Sequence, residues 1–320
     1  MSNLEFEKPI TELEGKIREL KHLSNGSDID LAEEIDRLEQ RCEKMLKQTY
    51  GKLNAWQKTQ VARHPDRPHF QDYVSALIEE WTPLAGDRFY GEDPAIQAGL
   101  GRFHGRPIAI IGHEKGADTE ERVHHNFGMA NPEGYRKAIR VMDLANRFGL
   151  PILTLVDTAG AYPGVGAEER GQAEAIARSI EQCLTVEVPL IAVIIGEGGS
   201  GGAIALAVAD RVLMLEHSIY SVISPEGCAA ILWRSADQAP AAAEALGITA
   251  QDLRNRRLID KIIDEPLGGA HRDRTSTIEA VGEIINGEIT DLLELAPAER
   301  RHLRREKFLR MGQSLDGLAS

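Results

Sequence analysis

The stretch that decides the fold is Gly196-Glu-Gly-Gly-Ser-Gly-Gly-Ala203, which holds five glycines in its first seven positions. It follows an unbroken apolar run, Val188 to Ile195, whose length and β-branched residues predict a strand buried on both faces. The Ala- and Leu-rich run that begins at Ala203 predicts a buried helix. Because glycine tolerates positive φ and has no Cβ to obstruct a ligand, the stretch predicts a loop with backbone N–H groups at a helix N-terminus. Such a loop can hold an anion.

The residues of this stretch leave three interpretations open. The spelling Gly196-x-Gly198-x-x-Gly201 matches the dinucleotide fingerprint, with Glu216 about 20 residues further on as a ribose-binding acid. Only Ala203 to Asp210 lie before the next strand-like run, however, and a crossover between parallel strands usually takes about a dozen residues or more. A phosphate-binding P-loop is excluded because no Gly-Lys-Ser/Thr closes the loop. A plain glycine-rich turn is the second interpretation, and an oxyanion-type site built from backbone amides is the third and favoured one.

The composition excludes several classes of protein. The chain has 320 residues, 42% of them apolar and 27% charged, as expected of a globular protein with one or two domains. A formal net charge of −13 argues against a protein that wraps nucleic acid. No apolar run has the length of a membrane span, and the acidic N-terminus lacks a signal-peptide pattern. The three cysteines, Cys42, Cys183 and Cys228, form no C-x-x-C pair, so no metal site is expected and a cytoplasmic location is the simplest interpretation.

The first part of the chain is predicted to be helical, from Ile10 to about Gln57. Apolar side chains repeat there with heptad-like spacing, at Leu31, Ile35, Leu38, Cys42 and Met45. Asp30 and Glu33 resemble a capping box for the second helix of an antiparallel hairpin. The hairpin could dock on a partner or pack on its own domain. We predict an N-terminal helical region over residues 1–95 and an α/β domain with a helical C-terminal part over residues 96–320.

Short apolar runs alternate with helices in the second domain. Strands are predicted at 107–111, 152–156, 190–195, 212–215 and 218–223, and helices at 135–148 and 167–184. A second glycine-rich loop, Asp157-Thr-Ala-Gly-Ala-Tyr-Pro-Gly164-Val-Gly166, ends the strand that precedes the Gly196 strand. If the two strands are parallel neighbours, both loops emerge at the carboxyl edge of the sheet, where ligands bind in open α/β folds.

Three other features have simple structural interpretations. The pair His124-His125 is predicted to lie in a solvated loop rather than to bind a metal, and Cys228 to be a small core residue rather than a nucleophile. The segment Arg300 to Arg310 carries six Lys or Arg residues among eleven. We interpret it as the solvated face of an amphipathic helix, with coenzyme A phosphates, an acidic partner or RNA as alternative contacts.

Further blocks of sequence accompany the two glycine-rich stretches. They are Asn126-Phe-Gly-Met129, Pro132-Glu-Gly-Tyr-Arg-Lys137, Ser221-Val-Ile-Ser-Pro-Glu-Gly-Cys-Ala229 and Glu265-Pro-Leu-Gly-Gly-Ala-His271. Together, and in this order over nearly the full length, these blocks resemble the carboxyltransferase α subunit family of bacterial acetyl-coenzyme A carboxylase. One departure is Ala159, where the family pattern has proline. Alanine restores one N–H group there and loosens the turn.

The resemblance implies a crotonase-like fold (ClpP/crotonase superfamily) built from repeated β-β-α units. It also implies a reaction that moves a carboxyl group from N1 of carboxybiotin to acetyl-coenzyme A, giving malonyl-coenzyme A for fatty acid synthesis. The ureido oxygen of biotin and the thioester oxygen both gain negative charge in this reaction, and preorganised N–H donors stabilise such charge. By motif, the resemblance implies that the amides of Gly201 and Gly202 form one oxyanion hole, which we expect to face biotin rather than the thioester. The residues expected to shape the adjoining cofactor site are Gly160, Ala161, Tyr162, Gly164, Gly166, Gly198 and Gly199.

The resemblance further implies that the chain works within a complex. A separate β subunit with a zinc ribbon would supply the second oxyanion hole and most thioester-binding groups, in an α2β2 heterotetramer. Biotin would be held by a biotin carboxyl carrier protein and ATP used by a biotin carboxylase, since this chain has neither a Met-Lys-Met attachment site nor an ATP-binding glycine loop of the carboxylase type. Two alternatives of other classes are an NAD-dependent oxidoreductase and a non-catalytic scaffold subunit.

Overall fold

A computed structural model describes residues 4–26 and 31–313 of the chain. Within these residues the strands are β1 (Glu79–Pro83), β2 (Ile96–Phe103), β3 (Arg106–His113), β4 (Ile152–Thr158), β5 (Leu190–Gly199), β6 (Arg211–Leu215), β7 (Ile219–Ser221) and β8 (Lys261–Ile263). The helices are α1 (Lys8–Gly26), α2 (Ala32–Tyr50), α3 (Ala55–Ala62), α4 (Phe70–Leu77), α5 (Thr119–His124), α6 (Pro132–Phe148), α7 (Val165–Glu169), α8 (Gln172–Thr185), α9 (Ser200–Ala207), α10 (Pro225–Trp233), α11 (Ala239–Leu246), α12 (Ala250–Asn255), α13 (Arg274–Leu293) and α14 (Pro297–Leu309).

These strands form one mixed sheet. Their order is β1-β2-β3-β4-β5-β6-β8, and β7 pairs with the end of β5. β2 is antiparallel to both of its neighbours, β1 and β3, whereas β3, β4, β5, β6 and β8 run parallel. β1 precedes residue 96 and yet pairs with β2, so the sheet begins within the first 95 residues.

The strands predicted from β-branched runs are confirmed as β3, β4, β5, β6 and β7. β1, β2 and β8 were not predicted. Glycines interrupt the apolar pattern of β2, so its sequence does not look like a strand. At Gly99 the structure requires glycine, because a Cβ there would lie only 2.6 Å from Cη2 of Trp81 in β1. The helix predicted at 135–148 is α6, and the one predicted at 167–184 is divided into α7 and α8 at Gly171, whose φ of 83° is left-handed.

The connection between β5 and β6 is short. Residues 200–210 alone join these two parallel neighbours, so the expectation that this segment is too short for a parallel crossover is wrong. Small residues such as Ala203, Ala205 and Ala207 make it possible, because they let α9 lie close against the sheet. The Thr154 hydroxyl of β4 donates a 2.8 Å hydrogen bond to the Leu206 carbonyl of α9.

Helices cover both faces of the parallel strands. Alternate residues of β5 divide between two apolar clusters, with Ala192 and Ile194 on one face and Ile191 and Val193 on the other. On the first face α6, α8 and α9 pack together, and on the second α4 and α13 do. This burial explains the continuous apolar runs of β4 and β5.

The N-terminal helices form the predicted hairpin, α1 against α2, and the hairpin packs on its own chain. Glu7 accepts a 2.7 Å hydrogen bond from the Tyr50 hydroxyl and lies 3.1 Å from Arg272, which also contacts Glu14 at 2.6 Å. Burial alone would raise the pKa of Glu7, but His271, Tyr50 and Arg272 lower it to about 2. The carboxylate is therefore a charged anchor. Asp30, half of the predicted capping box, lies outside the described residues.

The basic segment Arg300 to Arg310 forms most of α14, and the prediction that its charges are solvated is wrong for its central residues. Arg304 is buried between Asp210 and the carbonyl groups of residues 183, 186 and 188. Arg300 donates to the carbonyls of residues 187, 292 and 295, and Lys307 contacts Asp260 at 2.7 Å. The positive charges thus attach α14 to its own domain. Over the described ranges, no helix combines the length and the apolar character that crossing a bilayer requires.

Candidate active site

The two glycine-rich stretches meet at one edge of the sheet. β4 and β5 are parallel neighbours, with Thr158 opposite Gly198, so the segments that follow them emerge side by side at the carboxyl edge. This confirms the neighbourhood predicted from the sequence. A Cβ placed on Gly202 would lie 2.7 Å from the carbonyl carbon of Gly160 and 3.0 Å from the nitrogen of Ala161. The first turn of α9 therefore rests directly on the second loop.

The predicted loop at Gly196 is not a loop. β5 continues to Gly199 and α9 begins at Ser200, where φ is 47°. Because the first amides of a helix have no acceptor within it, the N–H groups of Gly201 and Gly202 lie in the turn that can serve an external oxygen. The positive φ falls on Ser200 rather than on any glycine of this stretch, so the glycines are needed for close approach instead.

The buried glycines of β5 show that close approach. Gly198 lies against Tyr220 and Gly199 against the carbonyl of Ala159, so a side chain at either position would collide with a neighbour. Both residues had been predicted to shape a cofactor site. The structure places them as buried residues at the end of β5.

The second loop is held by its own hydrogen bonds. The Thr158 hydroxyl donates to the Gly160 carbonyl at 2.7 Å and accepts from the Gly160 amide at 3.1 Å, and Gly160 has a φ of 152°. The Tyr162 amide donates to the Ala130 carbonyl at 3.0 Å, and Gln172 donates to the carbonyls of both residues. Gly164 precedes α7 and Gly166 lies in its first turn. The wall beside Gly202 is therefore rigid.

An apolar cavity of about 420 Å³ adjoins the start of α9. Ser200 and Gly201 form part of its wall, and the remaining lining is mostly apolar. Its larger side chains are Ile204, Tyr220, Val222, Leu246, Ile248, Leu253, Leu258, Phe308 and Met311, and among the described residues of the lining Arg256 is the one that carries a charge. A ligand with an oxygen near Gly201 and an apolar body would fit this arrangement.

Charged residues at the same edge were missed by the sequence analysis. A second cavity, of about 210 Å³, is lined by Lys115, Asp157 and Glu197 among others. Burial would raise the pKa of Asp157, but Lys115, 2.6 Å away, holds it below its usual value. Burial lowers the pKa of His113, at the end of β3, to about 4, so this ring is neutral at pH 7. The polar run that begins with the last residue of β3, His113-Glu-Lys115, was the available signal, because it lies at the end of a strand of the same parallel set.

Known proteins resemble the chain along nearly its whole length. The family model described as acetyl co-enzyme A carboxylase carboxyltransferase-like matches residues 3–312. Relatives named acetyl-coenzyme A carboxylase carboxyl transferase subunit alpha include one from Paramagnetospirillum magneticum, 63% identical over 98% of this chain and 99% of its own. Those from Rhodospirillum centenum and Agrobacterium fabrum are 62% and 61% identical with the same coverage. The chain belongs to this family of alpha subunits.

Solved structures confirm the crotonase-like fold predicted for this alpha-subunit family member. Transcarboxylase 12S superposes with a TM-score of 0.54 at 20% identity, covering 67% of this chain and 41% of the other. A Pseudomonas malonate decarboxylase heterotetramer chain, solved with coenzyme A, gives 0.56 at 16% identity, covering 70% and 91%. At these identities the likeness is one of fold.

The nicotinamide alternative fails in this alpha-subunit family member. Gly196 and Gly198 belong to β5 and Gly201 to α9, so they form no loop around a pyrophosphate. Glu216, the proposed ribose ligand, accepts a 3.2 Å hydrogen bond from the amide of Glu265 instead.

Proposed function

We propose that this chain, with a β subunit, transfers the carboxyl group of carboxybiotin to acetyl-coenzyme A, and that the amides of Gly201 and Gly202 stabilise the charge that develops. The observation that carries the proposal is the direct passage from β5 into α9, which places both N–H groups in the first turn of the helix, with Gly201 in the wall of an apolar cavity. The family supports the reaction class.

The proposed reaction requires hydrogen-bond donors that stabilise negative charge on oxygen, and it requires no side-chain nucleophile. Bound biotin supplies the carboxyl group through its ureido nitrogen. As the bond between the carboxyl carbon and that nitrogen breaks, the ureido oxygen gains negative charge, and the N–H groups of Gly201 and Gly202 would donate hydrogen bonds to it. These groups need no reorganisation, because α9 is fixed against the Gly160 loop. The same arrangement suits an enolate oxygen, because both are oxyanions beside a planar centre. The Gly160 to Gly166 loop forms the adjoining wall.

The rest of the machinery is proposed to lie on other proteins. A zinc-ribbon β subunit in an α2β2 heterotetramer would supply the second oxyanion hole, a carrier protein the biotin, and a biotin carboxylase the ATP-dependent step. Exposed apolar side chains support a partner surface here: Val222 is 77% exposed and lines the same cavity as Gly201, and Ile231 and Leu232 of α10 are 71% and 65% exposed. We also propose a cytoplasmic location, which the three buried free cysteines support.

The proposal is tested by removing one amide donor. Gly201→Pro deletes the N–H group, and Gly201→Ala is the matched control, because its Cβ would meet only the flexible end of Ile176 at 3.2 Å. Purified variants are assembled with the β subunit and assayed for carboxyl transfer from carboxybiotin to acetyl-coenzyme A. Proline should lower kcat by about 100-fold or more, as the loss of one oxyanion donor does, and alanine by less than about threefold.

The scaffold alternative predicts a different result. A complex that assembles with Gly201→Pro and transfers the carboxyl group at the unaltered rate would show that this chain supplies no donor. The chain without its β subunit should be inactive, because the site is completed by the partner.

A further inference from the structure

The ladder between β4 and β5 is irregular just before the candidate site. Val156 pairs with Ile194 and Thr158 with Gly198, so between these pairs residues 195–197 of β5 face the single residue Asp157 of β4. Such irregularities leave backbone groups without a ladder partner and turn the strand. This one lies three residues ahead of Ser200, where β5 enters α9.

The carboxylate of Asp157 fills the gap. Its Oδ1 accepts a 2.8 Å hydrogen bond from the amide of Glu197 and lies 2.6 Å from Nζ of Lys115. A Cβ on Gly196 would lie only 2.6 Å from the same oxygen, so the carboxylate is pressed against the β5 backbone. Asp157 is 4% exposed, and a buried carboxylate without a counter-charge would be strongly unfavourable.

The Glu197 side chain continues this network. It lies 2.7 Å from Arg63, whose guanidinium also contacts Glu226 in the first turn of α10 at 2.6 Å. The end of β5 is therefore held from both sides, by Asp157 on β4 and by Arg63 after α3. These contacts lie three residues before Ser200, where α9 begins and its first amides have no partner within the helix.

We propose that Asp157 is a positioning residue for carboxyl transfer: its carboxylate, kept in place by Lys115, replaces the missing ladder acceptor at Glu197 and so fixes the aim of the Gly201 and Gly202 N–H groups. The inference rests on the function proposed above. Because Asp157 acts in this proposal through the backbone of β5 and not on the substrate, we expect its loss to lower kcat more than it raises KM. A displacement of about 1 Å in a reacting group can lower a rate by about 100-fold.

The same strand contains a matched control at its other end. Asp210 is also 4% exposed, accepts a 2.8 Å hydrogen bond from the β5 amide of Leu190, and pairs with a cation, Arg304, at 2.6 Å. The two carboxylates thus bind β5 in the same way, one at the site and one at the opposite edge of the sheet. Loss of either weakens the fold, but only loss of Asp157 should change the aim of α9.

The test uses the assembled α–β enzyme carrying Asp157→Ala, Gly196→Ala or the control Asp210→Asn. Gly196→Ala leaves Asp157 and Lys115 in the chain but displaces the Asp157 carboxylate. It therefore tests the role of this carboxylate even if Asp157→Ala does not assemble with the β subunit. We expect kcat to fall about 100-fold for Asp157→Ala and at least about tenfold for Gly196→Ala, with KM for both substrates within about twofold. For Asp210→Asn we expect kcat within about twofold.

Amide hydrogen exchange over residues 196–203 gives a readout that does not depend on turnover. It should accelerate in Asp157→Ala and stay unchanged in Asp210→Asn. The inference is overturned if kcat stays within twofold in the Asp157 and Gly196 variants, or if Asp210→Asn slows transfer as much. A wild-type complex that does not transfer carboxyl groups would instead refute the proposed function, and the exchange measurement would still decide whether Asp157 positions α9.

Discussion

Arg304 and Asp210 form a fully buried ion pair, with Nη2 of the guanidinium 2.6 Å from Oδ2 of the carboxylate. The guanidinium also donates to the carbonyl of residue 183 in the last turn of α8 and to those of residues 186 and 188, which lie between α8 and β5. Asp210 in turn accepts from the amide of Leu190 at the start of β5. Arg304 of α14 and its partner Asp210 therefore hold in place the segment that joins α8 to β5.

Replacing Arg304 should destabilise the protein strongly. Arg304→Met leaves Asp210 buried without its cation and three carbonyls without a donor, and the loss of one partner of a buried pair costs about 3–5 kcal/mol. Arg305→Met, one residue away and exposed, is the control and should change the free energy of unfolding by less than about 0.5 kcal/mol. Denaturant unfolding measures both, and equal losses would show that Arg304 is not the anchor.

The basic helix shows where sequence analysis reaches its limit. Six positively charged residues among eleven predict a helix whose charged side chains face solvent. The charge pattern shows which residues the helix carries, but it does not show which parts of the fold pack against them. The partners of Arg304 are more than 90 residues away in the sequence, so no local pattern announces them. The central strands, in contrast, were predictable from their own residues, since burial on both faces demands continuous apolar runs.

A methyl group on Gly202 should impair the site through its close neighbours. The new Cβ would lie 2.7 Å from the Gly160 carbonyl carbon, and backbone cannot move aside as a flexible side chain can. We expect Gly202→Ala to cost about 1–3 kcal/mol of unfolding free energy and to lower kcat by at least about tenfold. Gly287→Ala, in α13 with open space around it, should instead be neutral or stabilise the protein by up to about 1 kcal/mol. Thermal unfolding and the transfer assay together check this contrast.

Part of the candidate site could be predicted from the sequence, and part could not. The amides of Gly201 and Gly202 and the Gly160 loop follow from glycine spacing at the ends of predicted parallel strands. Asp157 lies in β4 and Lys115 just after β3, more than 40 residues away in the sequence, and their contact depends on how these two strands are aligned.

Two buried histidines should make the protein less stable in mild acid. Burial lowers the pKa of His113 and of His217 to about 4, against about 6.5 in an unfolded chain. The unfolded state therefore binds more protons between pH 6.5 and 4, so stability is complete above pH 6.5 and falls as the pH decreases through that window. Each histidine contributes up to about 3 kcal/mol to this fall.

His217→Phe keeps the edge-to-face contact with Tyr50 and removes the titrating ring. Urea unfolding at pH 7, 6, 5 and 4 should show a flatter decline in this variant than in the wild type. Parallel curves for the two proteins would contradict a neutral, buried His217.

The exposed end of α10 should bind the β subunit. Ile231 of α10 is 71% exposed, and Val222, which lines the cavity beside Gly201, is 77% exposed, so we expect a partner that completes the site to cover both. Ile231→Asp places a charge in that contact, and we expect the dissociation constant of the β subunit to rise about tenfold or more. Phe148→Asp is the matched control, because Phe148 is 68% exposed but ends α6 just before β4 begins, at the opposite edge of the sheet. Titration calorimetry measures the dissociation constant of the β subunit for both variants. An equal rise for Ile231→Asp and Phe148→Asp would mean that the effect does not depend on where the exposed apolar residue lies. An unchanged constant for Ile231→Asp would mean that the β subunit binds elsewhere.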